Sequence, residues 1–186
     1  MNEAIQHYDK KYFEEHYGAL IGDPEYYELL ASFWARAIFD PLAAHGVKAD
    51  QKILDYGCGT GVVSAAMPNS TAFDVAPFVR EFLAARGRSV AADNSSIPKQ
   101  AFDILLCSHS LEHYEDPKSS LELFKEFVKP SGYLILVLPI DSDFAPTIAP
   151  DNNQHLYCWN FQSITNLLIH CGWTPRASHC LYGPFF

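Results

Sequence analysis

Between Ile53 and Val63 the chain reads ILDYGCGTGVV, with glycines at 57, 59 and 61 directly behind an apolar run. Glycine reaches backbone conformations closed to other residues, and it removes the Cβ that would hold a ligand off the main chain. Three glycines at alternate positions, behind "KILDY" and ahead of a helix start, predict a strand, a tight turn and a helix. The turn is then built to receive something.

The rest of the chain supplies a frame for that turn. "STAFDV", "RSVAAD", "FDILLCS" and "YLILVLP" are further strands, and the unbroken apolar run of "FDILLCS" suits a strand covered on both faces. Between them "PFVREFLAARG" reads as a helix from Pro77 to its stop at Gly87. "DPKSSLELFKEFVKPSG" reads as a second helix capped by Asp116, and "NFQSITNLLIHCG" as a third ended by Gly172. Upstream, "GDPEYYELLASFWARAIFD" opens with Asp23 as N-cap and Pro24 at the first helical position. It sets Tyr27, Leu30, Trp34 and Ile38 on one face and ends at Asp40-Pro41. A Pro-rich loop runs from Pro139 to about Asn153, and "WTPRASHCLY" is the last strand candidate. Strands alternating with helices predict an α/β fold: a mainly parallel sheet with helices on both faces. Residues 1–50 form a helical cap segment and 51–186 the α/β core of one domain.

Length and charge narrow the partners. A chain of 186 residues suits one domain with a full core, and no apolar run is long enough to cross a bilayer. The formal net charge is −9, and the basic residues are scattered, with no run longer than Lys10-Lys11. That average repels polyanions, so a small or neutral substrate is expected rather than nucleic acid. The five cysteines form no C-x-x-C pair, and no Cys/His spacing matches a metal site. They read as reduced thiols of a cytoplasmic protein. The N-terminus is polar from its second residue, unlike a secretory signal.

In parallel α/β sheets ligands bind beyond the carboxyl ends of the strands. A dinucleotide site there needs G-x-G-x-x-G, which would put its third glycine at position 62, where the chain has Val62. The spacing is instead G-x-G-x-G, with Asp55 two residues before the first glycine. It suits a ligand without phosphates, whose carboxylate takes backbone N–H groups and whose ammonium meets the acid. After the second strand stands Asp74, placed to accept from ribose hydroxyls or to cap the helix at Pro77. After the third come Asp93 and Asn94, placed to accept from an exocyclic amine or simply to sit in a loop. Ser108 leaves the fourth strand, followed by Glu112 and His113. His113 reads either as a general base or as a structural histidine bonded to backbone.

Together these blocks resemble the class I S-adenosylmethionine-dependent methyltransferases, and in particular the small-molecule enzymes related to the ubiquinone/menaquinone-biosynthesis methyltransferases. "ILDYGCGTG", "AFDV", "AADNSSIP", "FDILLCSHSLEHYEDP", "FVKPSGYLILVLP" and "HLYCWNFQSITNLLIHCGW" carry the resemblance, in order, from about Lys52 to Trp173. It implies a Rossmann-like, doubly wound fold and S-adenosyl-L-methionine as cofactor. Gly57, Gly59 and Gly61, with Cys58 between them, would lie under the methionine part, and Asp55 would fix its amino group. Asp74, with Val75 beside it, would hold the ribose. Asp93 and Asn94 would border the adenine, and Ser108 would face the methionine through its backbone. One of Tyr8, Tyr12 and Tyr17 would close over the cofactor.

Three departures accompany the resemblance. The stretch from Gly61 to Asp74 is short and interrupted by Pro68, the last antiparallel strand is short or missing before Phe186, and "SHSLEH" stands where base-methylating enzymes carry (D/N)-P-P-(Y/F). The implied reaction is in-line methyl transfer to a small-molecule acceptor, governed mainly by alignment. His155 is the first candidate base, in a loop with Asp141, Asp143 and Tyr157, and His109 and His113 stand behind it. The competing readings are a cofactor-binding but inactive regulatory module and an NAD-dependent oxidoreductase, which Val62 opposes.

Overall fold

The computed structural model describes residues 8–140 and 154–181. Its helices are α1 (Lys10–Gly22), α2 (Pro24–Phe39), α3 (Pro77–Ala85), α4 (Pro117–Phe127) and α5 (Phe161–His170). Its strands are β1 (Ile53–Tyr56), β2 (Ser70–Phe73), β3 (Ser89–Val90), β4 (Phe102–Ser108) and β5 (Val128–Val137). They form one sheet in the order β3-β2-β1-β4-β5, every pairing parallel.

The pleat sorts the core onto two faces. Ile53, Ile104, Leu106 and Ile135 point to one side and pack under Leu30, Trp34 and Ile38 of α2. Leu54, Tyr56, Leu105 and Cys107 point to the other, against Leu121 and Phe124 of α4 and Ile164 of α5. Ala72 on β2 packs with Val79 and Leu83 of α3 and Phe13 of α1. Each fully buried side chain of this size contributes about 1.5–3 kcal/mol. Register aligns Tyr56 with Phe73 and Asp55 with Leu106, so the carboxyl ends of β1 and β2 open at one level, with β4 running on to Ser108.

Local chemistry sets the helix ends. Asp23 ends α1 and starts α2, its carboxylate accepting from Tyr26 N at 3.0 Å. Asp116 accepts from Ser119 N at 3.0 Å, and Asn160 and Ser163 form a capping box on α5. Gly87 and Gly172 follow α3 and α5 with φ of 72° and 75°.

The structure departs from the sequence reading in four places. No helix follows the glycine loop: residues 61–67 are a run of turns, with Ala65 N bonded to Val62 O and Met67 N to Ser64 O. The crossover from β1 to β2 spans only residues 57–69, close to the dozen or so a parallel connection needs, and Pro68 closes it. Second, α4 stops at Phe127 instead of continuing to Gly132, because Pro130 cannot continue a helix and biases Lys129 toward extended backbone. The chain enters β5 at Val128, with an irregularity in its pairing between Phe102 and Ile104. Third, β3 has two residues where six were expected. Last, residues 173–181 form no strand, although "WTPRASHCLY" was the final strand candidate. Pro175 offers no N–H to a ladder, and the Trp173 indole donates to Leu121 O on α4 at 3.0 Å. Among the described residues β5 is therefore an edge strand. Asp141, Asp143 and most of the Pro-rich loop lie outside the described residues.

Candidate active site

The three glycines serve two purposes. Gly57 and Gly61 have φ of 76° and 72°, and each is closed in by packing. A Cβ on Gly57 would lie 2.0 Å from Ser110 Oγ, and one on Gly61 2.7 Å from Leu83 Cδ2. Gly59, at φ 51°, meets nothing within 4 Å. It is the exposed floor of the loop.

Other groups fix that floor. Gly57 N and Cys58 N donate to Phe73 O at 2.8 and 3.1 Å. Gly59 N donates to Asp74 Oδ2 at 2.9 Å, while Asp74 Oδ1 accepts from Ala76 N at 2.9 Å. Burial still pushes the Asp74 carboxyl up, against those two bonds and the Arg80 charge. From α2, the Tyr27 hydroxyl donates to Thr60 O at 2.9 Å. Burial also raises the Cys58 thiol well above its ordinary range, so it sits in the loop as a neutral group. Val75 is half exposed beside Asp74.

The buried side-chain polar atoms that make no hydrogen bond among the described residues come from the carboxyl-end halves of β1 and β4 and from the segments after β4 and β5. They are both oxygens of Asp55, Ser108 Oγ, both oxygens of Glu112 and Trp159 Nε1. Asp55 is on β1, Ser108 ends β4, Glu112 lies in the single turn after it, and Trp159 pairs with Ile140 beyond β5. Such atoms are costly unless a ligand completes them. Burial pushes the Asp55 carboxyl up to about 6, against the Ser64 hydroxyl and the Arg88 guanidinium, which favour its ionised form.

Glu112 is fully buried and its carboxyl is pushed up to about 7 by that burial. Its Oε1 lies 3.9 Å from His109 Nδ1 and 4.0 Å from His155 Nε2. The rings of His113 and His155 are 4.9 Å apart, and Tyr8 Oη is 3.1 Å from His113 Nδ1. Ligand atoms of Glu112, His113 and His155 lie within 4.8 Å of one another, close enough to face one cation. Burial, then the neighbouring His155 and His113, hold the His109 imidazole below its usual range. His109 itself has φ 47°, the left-handed region rare for a side chain of its size, with its N–H bonded to Val137 O at 2.8 Å. All three histidines expected from the sequence thus converge on a glutamate that the sequence had marked only as a neighbour.

The turn after β3 looks different. Asp93 is exposed and turned onto its own backbone. Its Oδ1 accepts from Ser95 Oγ at 2.7 Å and Ser96 N at 2.8 Å, which holds its carboxyl below the usual range. Asn94 Oδ1 accepts from the Tyr56 hydroxyl at 2.7 Å. On the opposite lip, α1 buries Phe13 against Cys58 and Ala76. Tyr8 and Tyr17 both feel the charges of Asp74 and Glu112, whereas Tyr12 stacks on His16 at 4.2 Å. A separate groove of about 2230 Å³ follows the edge of β5 and reaches His109, His155, Trp34 and Tyr157, but not the glycine loop.

Sequence reading puts Tyr27 on the core face of a helix and gives Arg88 no role. No spacing signal marks either, because their partners, Thr60 and Ser64, are brought to them only by the fold.

Comparisons with known proteins agree with this geometry. Residues 26–178 match the family described as a methyltransferase domain. The chain is 34% identical over 103 residues to the mitochondrial ubiquinone biosynthesis O-methyltransferase of Schizosaccharomyces pombe, covering 46% of this chain and 37% of that protein. It is 30% identical over 150 residues to the ubiquinone biosynthesis O-methyltransferase of Nitrosospira multiformis, covering 73% of this chain and 56% of that protein. The chain therefore spans roughly two fifths to just over half the length of these curated relatives. Among solved structures, the 1,6-didemethyltoxoflavin-N1-methyltransferase of Burkholderia thailandensis shares the fold with a TM-score of 0.63 at 20% identity, covering 93% of this chain and 81% of that one. The family match takes in the glycine loop, Asp55 on β1, Asp74 after β2 and the three histidines around Glu112: the chain belongs to the methyltransferase domain family.

Proposed function

We propose that the protein transfers a methyl group from S-adenosyl-L-methionine to a small-molecule acceptor. One observation carries the reading: orphaned buried acids stand beside a floor of bare main chain at Gly59. That combination fits a zwitterionic amino-acid moiety, which brings an ammonium group and needs no phosphate site. A dinucleotide fits poorly, since no helix N-terminus follows the loop to receive its pyrophosphate. The relatives named above act as O-methyltransferases, and the Burkholderia enzyme was crystallised with S-adenosylhomocysteine.

When bound, S-adenosylmethionine supplies a methyl already activated on a sulfonium. The chain's own residues then bind, align and take up a proton. Asp55 receives the ammonium. Gly59 is the floor, Gly57, Cys58 and Gly61 hold it in place, and Ser108 borders it. Asp74, tied to Gly59 N and Ala76 N, keeps further lone pairs for the ribose hydroxyls, with Val75 beside it. Asn94, steadied by Tyr56, borders the adenine, and Asp93 caps the turn that carries it. Tyr8 and Tyr17 close the near side.

The acceptor enters along the groove that ends at His155 and His109. His155 takes the proton of an acceptor hydroxyl, and Glu112, at 4.0 Å, stabilises the charge that results. His109 and His113 complete the wall. We read the protein as cytoplasmic, in keeping with five cysteines that form no disulfide among the described residues. No helix among the described residues is long and apolar enough to cross a membrane.

Calorimetry with S-adenosylhomocysteine tests the reading. Binding in the micromolar range is expected, with Asp74→Ala weakening it at least tenfold. Absence of heat with the folded wild-type protein, by either the cofactor or its demethylated product, overturns the reading.

A further inference from the structure

The turns at 61–67 lack the internal hydrogen bonds of a helix, yet they shape the loop and carry a fully buried serine, Ser64. What holds them comes from the far side of the crossover. Arg88, just before β3, points Nη2 at Ser64 O (2.9 Å), Ser64 Oγ (3.1 Å) and Ser70 Oγ (3.0 Å). Ser70 Oγ donates onward to Met67 O at 2.8 Å. A planar guanidinium, weakly hydrated and always charged, suits such a buried clamp better than an ammonium.

The clamp lies beside Asp55. The groups whose charge bears on that carboxylate come from every element around it. Arg88 and Ser64 favour its ionised form, and Asp74 opposes it. Cys58 in the loop and Tyr27 on α2 also feel its charge. Arg88 makes no hydrogen bond to Asp55; the Ser64 hydroxyl that it holds is the neighbour that most favours the ionised acid. Its hydrogen bonds go to the serines, and only its field reaches the acid.

We propose that Arg88 is a positioning residue for the cofactor: by clamping Ser64 and Ser70 it replaces the missing helix, and it keeps Asp55 charged for the ligand's ammonium group without itself pairing with the acid. A direct Arg88–Asp55 pair would satisfy the acid and close the site. Acting through Ser64, Arg88 supplies the charge and takes none of the acid's lone pairs itself. The inference rests on the cofactor reading above and adds the device that makes the short crossover work.

S-adenosylhomocysteine carries the same ammonium group and needs no acceptor, so its binding is the test. Affinity and melting temperature are measured between about pH 5 and 8.5 for wild type, Arg88→Met, Arg88→Lys and Ser64→Ala, with Asp55→Asn as control. Wild-type affinity falls as pH drops through the Asp55 titration near 6. Arg88→Met moves that fall upward by about one pH unit and weakens binding about tenfold at neutral pH. Arg88→Lys keeps the wild-type midpoint with weaker binding, and Ser64→Ala, which removes the neighbour that most favours the ionised acid, moves the midpoint at least as far as Arg88→Met and in the same direction. Asp55→Asn binds weakly and without this pH dependence. If Arg88→Met does not fold, the lysine and alanine variants decide by the same midpoints. A lowered melting temperature with an unchanged midpoint and affinity shows a merely structural arginine and overturns the proposal. If wild type takes up no ligand at any pH, the cofactor reading falls and takes this inference with it, a result distinct from an unmoved midpoint.

Discussion

At the scale of single residues, two glycines two positions apart but unlike in surroundings make a direct test. Gly59 faces open space in a left-handed conformation, so Gly59→Ala costs about 1 kcal/mol of stability while filling the floor. S-adenosylhomocysteine affinity should drop at least tenfold, and calorimetry beside urea unfolding reads both. Gly57→Ala drives a methyl into Ser110 and should leave little folded protein at all. Glu112 is the second such residue. Its folded-state carboxyl sits near 7, above its ordinary 4.5. The stability it contributes is therefore complete below 4.5 and lost as pH rises through about 7. Above that, a charge sits in a buried site whose desolvation outweighs the backbone hydrogen bond that favours it. Glu112→Gln should raise stability at about pH 8 by on the order of 2 kcal/mol, and change it little at about pH 4. Urea midpoints at the two pH values check this. A gain in stability on losing the acid would mark Glu112 as a residue kept for function.

At the scale of elements, the helix α2 does more than cover the sheet. Its buried stripe of Leu30, Trp34 and Ile38 anchors it over Ile53 and Ile104, and one turn earlier Tyr27 reaches Thr60 O in the glycine loop. Tyr27→Phe should remove about 1 kcal/mol and speed amide exchange in the loop, with α2 itself intact by circular dichroism. The sequence showed that α2 exists, through its cap, its first-turn proline and its apolar face. It could not show that the helix holds the loop, because that depends on where two elements more than thirty residues apart meet. The failed prediction of a helix after Gly61 has a related cause. "GVVSAAM" carries helix-compatible residues, but only thirteen positions, 57–69, separate β1 from β2. Chain length for the crossover, not local propensity, decided for turns.

At the scale of the whole molecule, ionisation and ligand binding are linked. Asp55, Asp74 and Glu112 all have carboxyls raised by burial, so each opposes folding as pH rises into the neutral range. Stability of the free protein should be greater at about pH 5.5 than at about pH 8. A ligand whose ammonium needs ionised Asp55 should reverse the trend, with a larger rise in melting temperature at the higher pH. Thermal shifts with and without S-adenosylhomocysteine at both pH values measure this, and equal shifts would count against Asp55 as the ammonium's partner. Much of this architecture was legible beforehand. Strand and helix periods, caps such as Asp23 and Asp116, and the glycine spacing are local or near-local signals, so the chain's own order fixed the parallel sheet and the side of it that binds. Which acids would be buried without partners, which histidines would meet Glu112, and that Arg88 would stop one residue short of Asp55 are distances across the chain. Those were settled only when packing brought β1, β4 and the turns between them together, since desolvation and contact belong to the folded volume and not to any stretch of sequence.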